Sequence, residues 1–226
     1  VAMVDTILRN ALATTNKHGN IVHALITAYI NQIEGEPEAE CDRNDSQARR
    51  CAYHEAGHAL IIAELYTPED VLAIDICKRA NTEGVVLFSD LQGKYGITRA
   101  TIKKQLQVLL AGRAAEQVLL NDAEQLSRGD ALDIRKATEL AKKAISQWGL
   151  GGFSDMVDKS QFSMSEAELL DEVHVWMKDA FDKAFEICKK KQSELARLST
   201  ALLAQHTLYY SDIQRLLMPK CVNHVH

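Results

Sequence analysis

The sequence predicts a mainly α-helical fold that carries a small β-hairpin. Two observations point that way. Apolar residues recur every three to four positions through most of the chain, the spacing of helices buried along one face. Only residues 71–77 and 84–88 read as strands, separated by the polar turn Lys78-Arg79-Ala80-Asn81-Thr82. Two short strands cannot form a core alone, so they are expected to lie against the helices.

Taken in order, the N-terminal segment reads as two helices. Val4, Ile7, Leu8 and Ala11 mark the apolar face of the first, and Ile21, Leu25, Ala28 and Tyr29 that of the second. Gly19, in the turn between them, suits a C-cap. Residues 36–45 are polar and acidic and read as a linker. A long helix then starts near Asp45 or Ser46, packs through Ala52, Ala56, Ala59, Leu60 and Ala63, and ends at Tyr66-Thr67-Pro68. Gly57 inside it costs about 1 kcal/mol relative to alanine, which a closely approaching neighbour would explain.

Residues 98–120 form a strong helix with Ile102, Leu106, Leu109, Leu110, Ala114 and Val118 on its apolar side. Arg128-Gly129-Asp130 opens another, running through Ile134, Ala137, Leu140, Ala141 and Ile145 to the glycines at 149, 151 and 152. Three helices follow, over 165–191, 194–206 and 211–217. Ser165 and Glu168 have the spacing of a capping box. Val173, Trp176, Phe181 and Phe185 offer apolar material for a bundle core or for contacts between subunits. Residues 219–226 read as a flexible tail.

A chain of 226 residues with 46% hydrophobic content can bury a substantial core without staples. A net charge of −5 without a basic stripe gives no electrostatic case for a nucleic-acid partner. Five cysteines, at 41, 51, 77, 188 and 221, include no CxxC pair. They fit reduced structural thiols in the cytoplasm or another reducing compartment. No stretch approaches the ~18 apolar residues of a membrane span, so attachment to a membrane would need a further segment or a partner.

His54-Glu55-Ala56-Gly57-His58 is an HExxH sequence. On a helix it sets two imidazoles one turn apart on one face with a glutamate beside them, an arrangement that can hold zinc and activate a water. Catalytic zinc normally takes three protein ligands and leaves a position open. No histidine follows His58 until His174, so the third ligand is sought on the helix opened by Gly129 or at Glu116, within Gly112-Arg113-Ala114-Ala115-Glu116.

These motifs together resemble the peptidase domain of the FtsH family of ATP-dependent zinc proteases. The resemblance runs through Ala52-Tyr53-His54-Glu55-Ala56-Gly57-His58-Ala59, Gly112 to Glu116, Gly129-Asp130-Ala131-Leu132-Asp133-Ile134, Ala137-Thr138, Gly149-Leu150 and Ser154. It implies an FtsH-like helical zinc-peptidase domain with Zn2+ as cofactor, Asp133 as the third zinc ligand and Glu116 supporting a ligand histidine. It also implies a hexameric homo-oligomer acting on peptides or unfolded proteins.

Residues 6–35 resemble the last two helices of the family's ATPase lid, but no GxxxxGK[ST] phosphate loop occurs in the chain. An ATPase would come from a partner or from a longer protein of which this chain is a fragment. The expected organisation is a lid-like segment over 1–35, a linker over 36–45, the zinc-peptidase domain over 46–218 and a tail over 219–226. Departures from the family pattern are Asp130, Leu132, the Cys77-Lys78-Arg79-Ala80 segment where the family has a proline-arginine-glycine turn, and a short loop between Phe88 and Gly96.

The expected function is a zinc-dependent endopeptidase cleaving flexible or unfolded polypeptides, with Glu55 as the catalytic base. The alternative is a catalytically quiet metalloprotein that regulates or adapts an oligomeric protease. In the bland reading of the same residues, one histidine satisfies a buried polar network and Asp133 sits in a first helical turn. Strand 71–77 is expected to offer an edge to an extended substrate, although ordinary hairpin packing explains its pattern as well.

Overall fold

The computed structural model describes residues 21–38, 45–80, 82–121, 131–152 and 165–217. The expected first helix, the Gly19 turn, Gly129, Ser154, most of the acidic linker and the tail lie outside them.

Helix α1 spans Ile21–Glu34 and α2 spans Asp45–Leu65. The second is the central helix: Ala52, Ala56, Ala59, Leu60, Ile61 and Ile62 are wholly buried. It packs against α4, Arg99–Leu120, and α7, Gln192–Gln205. The cost of Gly57 has a direct explanation here. A Cβ at that position would stand 2.5 Å from the Ala115 Cβ and 2.7 Å from the Ala111 carbonyl oxygen of α4. Glycine thus brings the motif helix against α4 more closely than any side chain would permit.

Thr98 caps α4 and exchanges hydrogen bonds with Thr101. Beyond that cap, Ile102, Leu106 and Leu110 point into a second core shared with α5, Ala131–Ser146, and α6, Glu166–Lys190. The Ser165–Glu168 capping box forms at the start of α6 as its spacing predicts. Val173 and Trp176 are buried in this second core, and Phe181 and Phe185 pack against the buried clusters. The fold itself therefore uses all four of these apolar residues.

The β-structure is larger than the expected hairpin. Strands β1 (Val71–Asp75), β2 (Val85–Phe88) and β3 (Thr207–Tyr209) form an antiparallel sheet in the order β2-β1-β3. Ile74 faces Val86 on one side and Leu208 on the other. At three residues, β3 is too short to display an alternating pattern in sequence. It also overturns one expectation: β1 is the central strand, paired on both sides, so it offers no edge to a substrate. Among the described residues the outer edge of β2 is unpaired.

Two further features tie the sheet to its surroundings. Helix α8, Tyr210–Leu217, follows β3 directly. On the other flank α1 buries Ala24, Ala28 and Ile30, stacks His23 on Tyr209 with ring centroids 3.8 Å apart, and hydrogen-bonds Thr27 to the Tyr209 hydroxyl at 2.8 Å. Cys51, Cys77 and Cys188 form no disulfide among the described residues. No helix among the described residues is long and apolar enough to cross a membrane.

The segment between β2 and α4 contains a short helix, α3 (Leu91–Tyr95), fastened by Asp70. This carboxylate is 1% exposed and accepts from Lys94 Nζ at 2.7 Å, the Tyr95 hydroxyl at 2.7 Å, Ser89 Oγ, and Thr67 N and Oγ1 at 3.2 and 3.0 Å. Burial alone would raise its pKa; the bonds from Lys94, Ser89, Tyr95 and Thr67 outweigh that and hold it well below the usual carboxylate range. A depressed pKa stabilises the fold above the unfolded-state value of about 3.9 and loses that contribution as pH falls through the folded value. Asp70→Asn is expected to cost about 2–3 kcal/mol, the scale of hydrogen bonds to a charged group. Urea denaturation at pH 7 measures it, and the gap to wild type should narrow in acid.

Candidate metal centre and active site

Two elements bring the predicted residues together. Helix α2 turns His54 and His58 toward α4 and α5 and sets Glu55 against Gly84 of the β1–β2 loop, and Asp133 lies in the first turn of α5. The Nε2 atoms of His54 and His58 are 3.1 Å apart. Asp133 Oδ2 lies 3.3 Å from the first and 3.2 Å from the second. Three potential ligand atoms thus form a nearly equilateral triangle.

The hydrogen bonds on the far side of each ring define what the triangle can hold. His54 Nδ1 lies 2.8 Å from Glu116 Oε1, and His58 Nδ1 lies 2.7 Å from the Val108 carbonyl oxygen. A carboxylate and a carbonyl only accept, so both Nδ1 atoms donate and each neutral ring turns a bare Nε2 lone pair inward. Two nitrogen lone pairs and a carboxylate oxygen facing one another at this range require a cation or a proton between them.

The donor set fits zinc. Three atoms each about 2.0–2.1 Å from a tetrahedral ion stand about 3.3–3.4 Å apart, close to the spacing found. Two imidazoles and one carboxylate are also a ligand set that zinc accepts, with the fourth position left open. His54, His58 and Asp133 therefore form a group that can bind a metal ion.

Burial and hydrogen bonding pull in opposite directions on the titratable groups of the triangle. Burial works against a charge on His54, but its hydrogen bonds with Asp133 and Glu116 more than offset this and lift its pKa to about 10. Asp133 is held well below the usual carboxylate range, against the upward push of its burial, by its bonds with His54 and His58. Glu55 is 8% exposed; burial raises its pKa, opposed by the nearby His54 and His58.

The site lines a cleft of about 970 Å³. Its walls include the β1–β2 loop, Val85, Val86 and Phe88 on one side and Val108, Leu109, Leu132 and Lys136 on the other. The loop presses directly on Glu55: a Cβ at Gly84 would stand 2.7 Å from both Cγ and Oε1 of that side chain. Leu132, one of the departures from the family pattern, is 45% exposed on the cleft wall.

Sequence reasoning brought forward His54, Glu55, His58, Glu116 and Asp133, and all five line this cleft. It missed three contributors. The Val108 carbonyl is a backbone group and leaves no trace in residue identity. Gly84 reads in sequence only as the start of a strand. Gly112 stood in a conspicuous motif, but its reason appears only in three dimensions: a Cβ there would collide with the imidazole of His54.

Gly112→Ala is accordingly expected to weaken zinc binding by about 10–100-fold, as loss of a ligand's outer support does. Alanine favours a helix over glycine by about 1 kcal/mol, so a weakened helix would not account for the loss. Competition with a fluorescent chelator, alongside circular dichroism, measures it.

Residues 43–216 match the model of the family described as Peptidase family M41. The chain is 32% identical over 178 residues to an ATP-dependent zinc metalloprotease FtsH of Neorickettsia risticii, covering 75% of this chain and 28% of that protein. It is 31% identical over 225 residues to the ATP-dependent zinc metalloprotease FtsH 2 of Phytoplasma mali, covering 96% of this chain and 32% of that protein. With the FtsH of Leuconostoc mesenteroides it shares 28% identity over 201 residues, 82% of this chain and 28% of the relative. The chain thus spans about a third or less of the length of these relatives.

Proposed function

This chain belongs to peptidase family M41, and from that membership we propose that it is a zinc-dependent endopeptidase acting on flexible or unfolded polypeptides. One observation carries the reading: the inward-facing nitrogens of His54 and His58 meet Asp133 beside a buried glutamate in the lining of a cleft.

In this reading His54, His58 and Asp133 hold zinc, which supplies a Lewis acid that lowers the pKa of a water and polarises a carbonyl. Glu55 takes the proton of the attacking water and returns it to the leaving amine. Burial supports that role, because a carboxyl pushed upward toward neutrality can both accept and release a proton. Glu116 and the Val108 carbonyl orient the two imidazoles through their Nδ1 atoms. An extended substrate pairs with the outer edge of β2, whose residues Val85, Val86 and Phe88 line the cleft.

Residues 1–35 are assigned to the end of an ATPase lid, 36–45 to a linker, 46–218 to the peptidase domain and 219–226 to a tail. A hexameric ring and an ATPase that delivers unfolded chains complete the proposal, drawn from the family resemblance. Without an ATPase at work, unstructured peptides are expected to be cut faster than stably folded proteins. The test is turnover of an unstructured peptide by the zinc-loaded chain: activity should vanish on chelation and return with zinc. Full zinc occupancy without turnover would contradict the reading and favour a metal-holding regulator or adaptor.

A further inference from the structure

Arg79 is 4% exposed, and the chemistry proposed above makes no use of its charge. Its guanidinium joins three parts of the molecule. Nη1 donates to Asn31 Oδ1 at 2.6 Å and to the Gly35 carbonyl at 2.9 Å, both at the C-terminal end of α1. Nη2 donates to Asp75 Oδ2 at 3.3 Å, and the same carboxylate oxygen accepts from Thr207 Oγ1 of β3 at 2.8 Å. The backbone alongside is stitched to the residues after α1. Pro37 bridges Arg79, and the Glu38 amide donates to the Lys78 carbonyl at 3.0 Å.

From Arg79 the connection leads to the active site. The Arg79 amide donates to the Thr82 carbonyl at 2.8 Å. Thr82 Oγ1 hydrogen-bonds the Gly84 carbonyl and accepts from the Gly84 amide at 3.3 Å. Gly84 in turn backs Glu55 with no room for a side chain between them. Cys51 Sγ, one turn before Glu55 on α2, donates to the Glu83 carbonyl at 3.2 Å. The loop is thus braced against α2 at one end and against α1, through Arg79, at the other.

We propose that Arg79 is a positioning residue, fixing the loop that backs Glu55 and making the setting of Glu55 depend on where the end of α1 lies. The proposal rests on the reading that Glu55 carries the proton in peptide hydrolysis. A displacement of about 1 Å at a site remote from the chemistry can cost about a hundredfold in rate, and a loop in contact with the proton carrier can transmit one.

The test compares wild type, Arg79→Ala, Asn31→Ala and Glu55→Gln, all zinc-loaded, by peptide turnover, zinc stoichiometry and amide hydrogen exchange. Arg79→Ala is expected to lower kcat about 10–100-fold, with KM little changed and zinc retained. Asn31→Ala removes only the α1 side of the link. It is expected to lower kcat several-fold and to speed exchange over residues 82–86, which a purely local role for Asn31 would leave unmoved. If Arg79→Ala does not fold, Asn31→Ala decides alone. Wild-type kcat and wild-type exchange over 82–86 in the folded variants would overturn the proposal, as would kcat losses that only track zinc loss. A fully active Glu55→Gln would instead overturn the reading of Glu55, while loop exchange would still report on Arg79.

Discussion

Glu55→Gln is expected to keep zinc bound while peptide hydrolysis falls by about 10²–10⁴-fold, the usual worth of a positioned acid–base group. Glutamine keeps the size of the side chain, so the close contact with Gly84 and the packing of α2 against the β1–β2 loop are preserved. The substitution removes the titratable carboxyl. Because Glu55 lies outside the His54, His58 and Asp133 triangle, the metal should not register the change. Zinc stoichiometry and peptide turnover on the same preparation separate lost chemistry from lost fold. Full turnover by a folded, zinc-loaded Glu55→Gln would remove Glu55 from the mechanism.

Asp133→Ala is expected to lose zinc and activity together. It removes one corner of the triangle, leaving two imidazoles that cannot complete a three-ligand site. The drop in zinc affinity should be at least the ~10–100-fold seen when an outer supporting partner is lost. A second readout is thermal. A ligand bound only by the native state at 100 times its Kd stabilises it by about 2.7 kcal/mol. Wild type should therefore melt higher when zinc is added, whereas Asp133→Ala should respond far less at the same zinc concentration.

What was legible in the sequence depended on how locally each feature is encoded. The long helices repeat an apolar spacing over many turns, so α2, α4, α5, α6 and α7 could be read directly, with caps such as Ser165 fixing the ends. The HExxH sequence lies within two turns of one helix, and its chemistry follows from helical spacing alone. Asp133 is different. It lies 75 residues beyond His58, so only the resemblance to a family singled it out, and the triangle with His54 and His58 exists only once α2 and α5 pack around α4.

The features that escaped are those set by tertiary contact. Strand β3 has three residues and takes its form from pairing with β1, which in turn moves the available sheet edge from β1 to β2. Asp70 reads in sequence as one more acidic residue after a proline, yet it gathers bonds from Thr67, Ser89, Lys94 and Tyr95. Gly57, Gly84 and Gly112 mark three close approaches, to α4, to Glu55 and to His54. For Gly57 the need for a close neighbour could be anticipated from its helical cost, but the neighbour could not be named.

The central claim is that His54, His58 and Asp133 hold zinc. An anomalous difference map recorded at the zinc absorption edge from crystals of the zinc-loaded protein tests it most directly. A single strong peak is expected within about 2.0–2.2 Å of both Nε2 atoms and of an Asp133 carboxylate oxygen. A peak elsewhere, or one with the Asp133 carboxylate beyond about 3 Å, would contradict it.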